Sequence, residues 1–279
     1  MDVFKLGPQI VKLLNAALSF YSSQVDTVLL MLRQSPQEVL GGGPWQNVER
    51  LEPIFTGVGA SLVVLFFIIG FCAESVNLKE ELRFENILRM LIKIGIAEWL
   101  VSYNLAMVKT FCQSIGNLIA LLGAQAPDKI VVDAAHTQAL EELNFGESLV
   151  MLIVAAVAAL VIVVSAAFLL YAVYFRMIRV FLVAPLGALA FSTTAGGSIA
   201  GQTSLSYLKY MLSILLEAVV MVLAILVCNS FIASGLVEGG GGTDFGGLII
   251  YLLSLSFVAA FTAGTVKGAQ TLTSRVFGL

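Results

Sequence analysis

The sequence has little charge for its length. Only 12% of its 279 residues are charged, whereas 59% are hydrophobic, and soluble domains carry about twice that charged fraction. A chain of this composition would expose large apolar patches to water, so lipid is the solvent that fits it. The net charge of −3 also argues against a nucleic-acid-binding surface, which needs an excess of basic residues.

Cysteine, histidine and the usual catalytic signatures are also scarce. The three cysteines form no CxxC pair, and the single histidine, His136, lies in a polar segment, so we expect neither a disulfide framework nor a metal site. The metalloprotease, phosphate-loop and dinucleotide-binding motifs are absent. Ser198 lies among small residues, but a nucleophilic serine needs a base, and His136 falls on the other side of the predicted membrane. We therefore expect no enzyme activity and no cofactor.

What the chain does have is long apolar runs. A membrane-crossing helix needs about 20 apolar residues to cross about 30 Å of hydrocarbon. We predict an all-α polytopic membrane protein with about five transmembrane helices and a membrane domain over residues 51–279. The predicted spans are about 54–73, 92–110, 148–175, 210–231 and 246–266.

Two further segments are not predicted to cross the membrane. Residues 1–50 are predicted to form an exterior N-terminal segment, in which apolar residues recur three and four positions apart through 3–33 and indicate an amphipathic helix. Residues 180–191 are apolar but number only 12 and contain Pro185. We expect this second segment to be a short re-entrant or interfacial helix.

Charged and small residues inside the spans are the first candidate functional positions. Glu98 and Glu217 lie within apolar helices, where an ionised carboxylate costs about 2.5 kcal/mol or more unless it is paired, neutralised or hydrated. They are candidates for lining a pore or contacting a subunit, or for bonding to a neighbouring helix. Gly264 and Gly268 share one helical face with Ala260. Such a face predicts close helix contact, within or between subunits, and we expect a homo-oligomer.

A pair of arginines after the third span is the second candidate. Arg176 and Arg179 are three positions apart, and guanidinium groups bind lipid phosphates as well as the carboxylates of a partner. With Pro185, they form a candidate cytoplasmic docking or lipid-contact site. Basic residues that flank a span also serve simply as membrane anchors.

The succession of these features is similar to a known family. The long apolar 148–175 is followed by Arg-Met-Ile-Arg at 176–179, Leu-Val-Ala-Pro-Leu at 182–186, a small-residue loop and Ser-Tyr-Leu-Lys-Tyr at 206–210. From about residue 140 to residue 270, this order resembles the TrbL-type polytopic subunit of conjugative type IV secretion systems.

The resemblance implies a channel or scaffold subunit of the mating-pore apparatus in the bacterial cytoplasmic (inner) membrane. It implies a homo-oligomer surrounded by membrane lipid, with other secretion-system subunits and cytoplasmic ATPases as partners. It also implies transient, nonspecific contact with the transferred DNA. The alternative is a secondary transporter, with Glu98 or Glu217 at a midplane ion site beside a helix broken at Pro185.

The distribution of basic residues predicts the topology. With five spans and the N-terminus outside, nine of the fifteen Lys and Arg residues fall in cytoplasmic segments, where basic loops are retained. An impermeant thiol reagent should therefore label cysteines introduced at Ser35, Gln125 and Gly240, but not at Ser198 or Ser274. Labelling of position 198 from outside would mean that 180–191 crosses the membrane and that the spans number six.

Overall fold

Helices account for all the long elements in the part of the chain that the structure describes. The computed structural model describes residues 6–77, 84–122, 131–197, 201–231 and 242–279, and these contain no strand. The helices are α1 (Gly7–Arg33), α2 (Gly43–Asn77), α3 (Phe84–Ser102), α4 (Asn104–Leu121), α5 (Ala134–Glu141), α6 (Phe145–Val183), α7 (Gly187–Ser192), α8 (Gln202–Phe231) and α9 (Phe245–Val276). Short 3-10 turns at Val39–Gly42 and Thr193–Gly196 precede α2 and follow α7.

Four helical segments are long and apolar enough to cross a membrane. They are Val39–Cys72, Phe145–Val183, Gln202–Cys228 and Phe245–Val276. A fifth candidate is the pair Leu88–Ser102 and Asn104–Leu121, which is bent by 64° and is either a broken span or a re-entrant loop. The prediction of an all-α protein with about five membrane-spanning helices is confirmed at this level.

The second predicted span differs from the structure in shape and extent. Instead of one helix over 92–110, the chain turns at Tyr103, and α4 continues to Leu121. The polar residues Lys109, Gln113 and Asn117 give this region the composition of a loop. They recur every fourth residue and are all exposed, so they occupy one face of a helix whose other face is buried.

The helices belong to two compact units. The first consists of Met1–Arg33, Ile119–Tyr174 and Ala218–Ala269, and the second of Gln34–Leu118, Phe175–Glu217 and Gln270–Leu279. The predicted N-terminal segment, 1–50, is therefore divided between the units. In the first unit, α1 is amphipathic as predicted, and its apolar face is covered: Ile10 and Leu14 are fully buried.

In the second unit, the segment after α6 folds back onto α2 and α3. α6 continues eight residues beyond the predicted end at 175, and Pro185 is buried in the turn that precedes α7. Ala188, Phe191 and Ala195 then pack in a core against α2 and α3. Glycine permits this close approach, because a Cβ on Gly59 of α2 would lie 2.8 Å from the carbonyl oxygen of Ala188.

The positions proposed for cysteine labelling differ in their suitability. Gln125, Ser198 and Gly240 lie outside the described residues. Ser35 is only 8% exposed, so a cysteine there would react slowly whichever side it faced. Glu38 follows three residues later and is exposed, which makes it the better reporter for the same loop.

Replacing Gly59 tests the packing of this short segment. Gly59→Ala should lower the thermal stability of the detergent-solubilised protein, because overpacking of this kind costs about 1–3 kcal/mol. Gly57→Ala is the matched control, since a Cβ there meets no atom within 4 Å and alanine favours the helix. An equal or higher melting temperature for Gly59→Ala would contradict the observed approach of α2 and α7.

Candidate functional site

The most polar buried contact of the second unit joins α6 to α8. Arg176 lies on α6 and is 4% exposed. Its Nε donates to the carbonyl oxygen of Ile214 at 3.0 Å, and its Nη2 donates to that of Leu215 at 3.4 Å. A backbone carbonyl has a second lone pair beyond the one used in the helix, so α8 can accept these bonds without unwinding.

One helical turn further along α6, Arg179 forms an ion pair with Glu217. Nη2 of Arg179 lies 2.7 Å from Oε1 and 2.6 Å from Oε2 of the carboxylate, and Glu217 is 2% exposed. The guanidinium group also lies over the ring of Phe175, with its carbon 5.2 Å from the ring centroid. Both charges are thus removed from lipid, and each supplies the neutralisation that the other needs.

A second polar node joins two helix breaks. Asn104, the first residue of α4, donates from Nδ2 to the carbonyl oxygen of Ala184 at 2.8 Å. The hydroxyl of Tyr207 on α8 lies 3.4 Å from the same oxygen and 3.4 Å from Oδ1 of Asn104. A Cβ on Gly187 would overlap both the Asn104 amide and the Tyr207 hydroxyl. The node therefore requires glycine at position 187 and fixes the turn that carries Pro185.

The candidate residues predicted from sequence do not form a single site. Arg179 and Glu217 are brought together, and Arg176 lies beside them. Glu98 is exposed on α3. It precedes Trp99, whose ring is tilted by 36° against that of Tyr103, with the ring centroids 5.7 Å apart.

The arginines face a different partner from the one expected. The sequence predicts that Arg176 and Arg179 contact lipid or a cytoplasmic protein, but their guanidinium groups bind α8. The physical reason is that Glu217 and the α8 carbonyl oxygens offer acceptors inside the same unit. Pro185, the third residue of that candidate site, is also buried. A docking role for this segment stays a prediction, and it cannot use the buried Arg176 side chain as the contact surface.

The predicted small-residue face belongs to the first unit. Gly264 is exposed on α9, and a Cβ on Gly264 or Gly268 would meet no atom within 4 Å. These glycines therefore do not serve a close helix contact within the described part of the chain. Instead, Gly264 lines an apolar groove between α6 and α9.

Sequence reasoning missed Asn104 and Tyr207 as partners of the helix break. In the sequence, Tyr207 stands out only as a member of the Ser-Tyr-Leu-Lys-Tyr run. Asn104 carried an available signal, since asparagine is favoured where a helix begins and this one lies in an otherwise apolar stretch. The sequence offered no signal that both would bind the carbonyl oxygen of Ala184.

Comparison with known proteins does not assign the chain to a family. No family model, no curated protein and no solved structure matches the chain. The resemblance to TrbL-type subunits therefore rests on the sequence motifs and stays a prediction. Within the described ranges, no group of three or more His, Cys, Asp and Glu side chains could hold a metal ion.

Breaking the ion pair tests its structural role. Removing one partner of a buried pair typically costs 3–5 kcal/mol, about the loss we expect for Glu217→Gln, whereas replacing both partners together costs less. Glu217→Gln should be worse than Arg179→Gln, because an unpaired carboxylate can take up a proton while a guanidinium group cannot lose one. Thermal unfolding in detergent gives the comparison, with Arg275→Gln at an exposed position as the control.

The double variant Arg179→Gln with Glu217→Gln makes this test specific. It should melt at a higher temperature than Glu217→Gln alone, because no unpaired charge remains on this pair. Additive losses in the double variant would show that the two side chains contribute independently and do not stabilise each other.

Proposed function

We propose that this protein is a channel or scaffold subunit of a conjugative type IV secretion apparatus in the bacterial cytoplasmic membrane. In that role it helps DNA and protein to cross the membrane, in contact with other subunits of the apparatus and with its ATPases. The observation that carries the proposal is the pairing of Glu217 with Arg179. A paired Glu217 fits a structural role better than the role of an ion-binding carboxylate in a transporter.

A coupled transporter needs a carboxylate that binds and releases an ion during its cycle. Glu217 is 2% exposed, and both of its oxygens lie within 2.7 Å of Nη2 of Arg179. The adjacent Arg176 is held by two carbonyl oxygens of α8. This arrangement holds α6 against α8, and it occupies both oxygens of the Glu217 carboxylate. A scaffold that keeps a fixed shape is the better fit.

The residues that carry the family resemblance also coincide with the polar contacts of the second unit. The Arg-Met-Ile-Arg run supplies the two guanidinium groups that hold α8. The Ser-Tyr-Leu-Lys-Tyr run supplies Tyr207, whose hydroxyl reaches the carbonyl oxygen of Ala184 within the Leu-Val-Ala-Pro-Leu run. The three motifs thus belong to one packed arrangement, which supports reading them together as a signature of shared architecture.

The open apolar surface of α2 supports assembly with other membrane components. Only 17% of the most apolar 18-residue stretch of Val39–Cys72 is buried. Ile54, Val64 and Ile68 are among the large side chains that remain exposed. A span with this much free surface contacts lipid or other helices, as expected for a subunit of a larger membrane assembly.

Deleting the gene in the bacterium that carries it tests the proposal. Conjugative transfer should fall to the level of a strain that lacks the secretion ATPase, and a plasmid copy of the wild-type gene should restore it. Glu217→Gln should restore transfer poorly because the brace between α6 and α8 is lost. Normal transfer from the deletion strain would overturn the proposal, and loss of uptake of one solute would favour the transporter.

A further inference from the structure

Two apolar grooves flank the exposed ridge of α6 in the first unit. The α6–α9 groove, of about 380 Å³, is lined by Leu160, Val164 and Phe168 of α6 and by Ala260, Gly264 and Lys267 of α9. The α1–α6 groove, of about 550 Å³, is lined on the α6 side by Leu160 and Val164 as well. These two residues therefore form a ridge with one groove on each side.

The only charged side chain that lines either groove is Lys267. It is exposed, and its Nζ lies 5.3 Å from the centroid of the Phe168 ring. The α6–α9 groove is otherwise apolar apart from Ser165, whose hydroxyl donates to the carbonyl oxygen of Val161 in its own helix at 2.7 Å. Within the described ranges, no carboxylate forms an ion pair with Lys267.

Distance along α9 places Lys267 near a membrane interface. Asp244, just before α9, precedes it by 23 residues, which corresponds to about 35 Å of helix. That length is close to the roughly 30 Å thickness of the hydrocarbon layer. If Asp244 stands at one surface, the ammonium group of Lys267 reaches the headgroups of the other.

We propose that these grooves bind one anionic phospholipid, with its phosphate on Lys267 and its two acyl chains on either side of the Leu160–Val164 ridge. The site has the polarity of such a lipid, because the α6–α9 groove carries the cationic Lys267 and the α1–α6 groove, across the shared Leu160–Val164 ridge, is apolar throughout. A zwitterionic headgroup fits less well, because its own ammonium group repels Lys267. This inference goes beyond the proposed secretion role and holds whatever the protein transports.

Lipid retention by the full chain tests the site. The protein in neutral detergent is offered dipalmitoyl phosphatidylglycerol or dipalmitoyl phosphatidylcholine, and bound lipid is counted by native mass spectrometry. Wild type should retain the anionic lipid about fivefold more strongly, the preference that one interfacial lysine provides. Lys267→Gln should remove this preference and Lys267→Arg should keep it.

Two further variants separate the site from general effects. Lys209→Gln is the matched control, since Lys209 is an exposed lysine of the second unit and lines neither groove. Gly264→Leu fills the α6–α9 groove without a clash at Cβ, so it should lower retention of both lipids. Helical content measured by circular dichroism confirms that each variant is folded.

Several outcomes would overturn the proposal. Equal retention of the two lipids by wild type, or an unchanged preference in Lys267→Gln, would show that Lys267 binds no headgroup. Displacement of phosphatidylglycerol by inorganic phosphate would indicate a site for a free anion. If Gly264→Leu dissociates an oligomer without changing lipid retention, the groove is filled by a second copy of the chain.

Discussion

A charge inside an apolar helix has to be neutralised or hydrogen bonded, and this requirement organises the second unit. Glu217 could not remain ionised in α8 without a partner, and Arg179 supplies one at 2.6 Å. Arg176 satisfies its own donors on the carbonyl oxygens of α8. Neither helix can bury its charges alone. The helices α6 and α8 therefore have to lie side by side, in the register that brings these groups together.

The same requirement governs the places where helices end. A carbonyl oxygen at a break has lost its helical donor, and burying it without another would be costly. At Ala184 the backbone N–H of Gly187 donates at 3.3 Å, and Asn104 and Tyr207 supply further donors. The break between α3 and α4 therefore lies beside the break that follows α6. Gly59 and Gly187 then remove the side chains that would hold these backbones apart. The short α7 segment is thus held by hydrogen bonds and close contact together.

Hydropathy predicts the fold class because a bilayer demands apolar runs of a characteristic length, and such runs are visible in any one sequence. Hydropathy gives an incomplete prediction where the partner of a residue lies on another helix. Arg176 and Arg179 resemble the end of a span, yet α6 continues to Val183. Its neighbour α8 pairs Arg179 with Glu217 and accepts hydrogen bonds from Arg176. The sequence predicts that Glu217 needs a partner, but it does not indicate which arginine supplies it. Gly264 predicts a close helix contact within or between subunits. The described chain makes no such contact there, so a contact between subunits stays a prediction.

The buried pair also bears on how the protein works. To use Glu217 as an ion site, a transport cycle would have to separate it from Arg179, and uncoupling a buried pair leaves a penalty of about 3–5 kcal/mol. An ion that replaced Arg179 would have to bind Glu217 strongly enough to offset this penalty in every transport cycle. Arg179 would also need another acceptor in apolar surroundings. A scaffold has no such requirement, because its role does not involve separating Glu217 from Arg179. The energetics of this single contact therefore disfavour Glu217 as the ion site of a transport cycle.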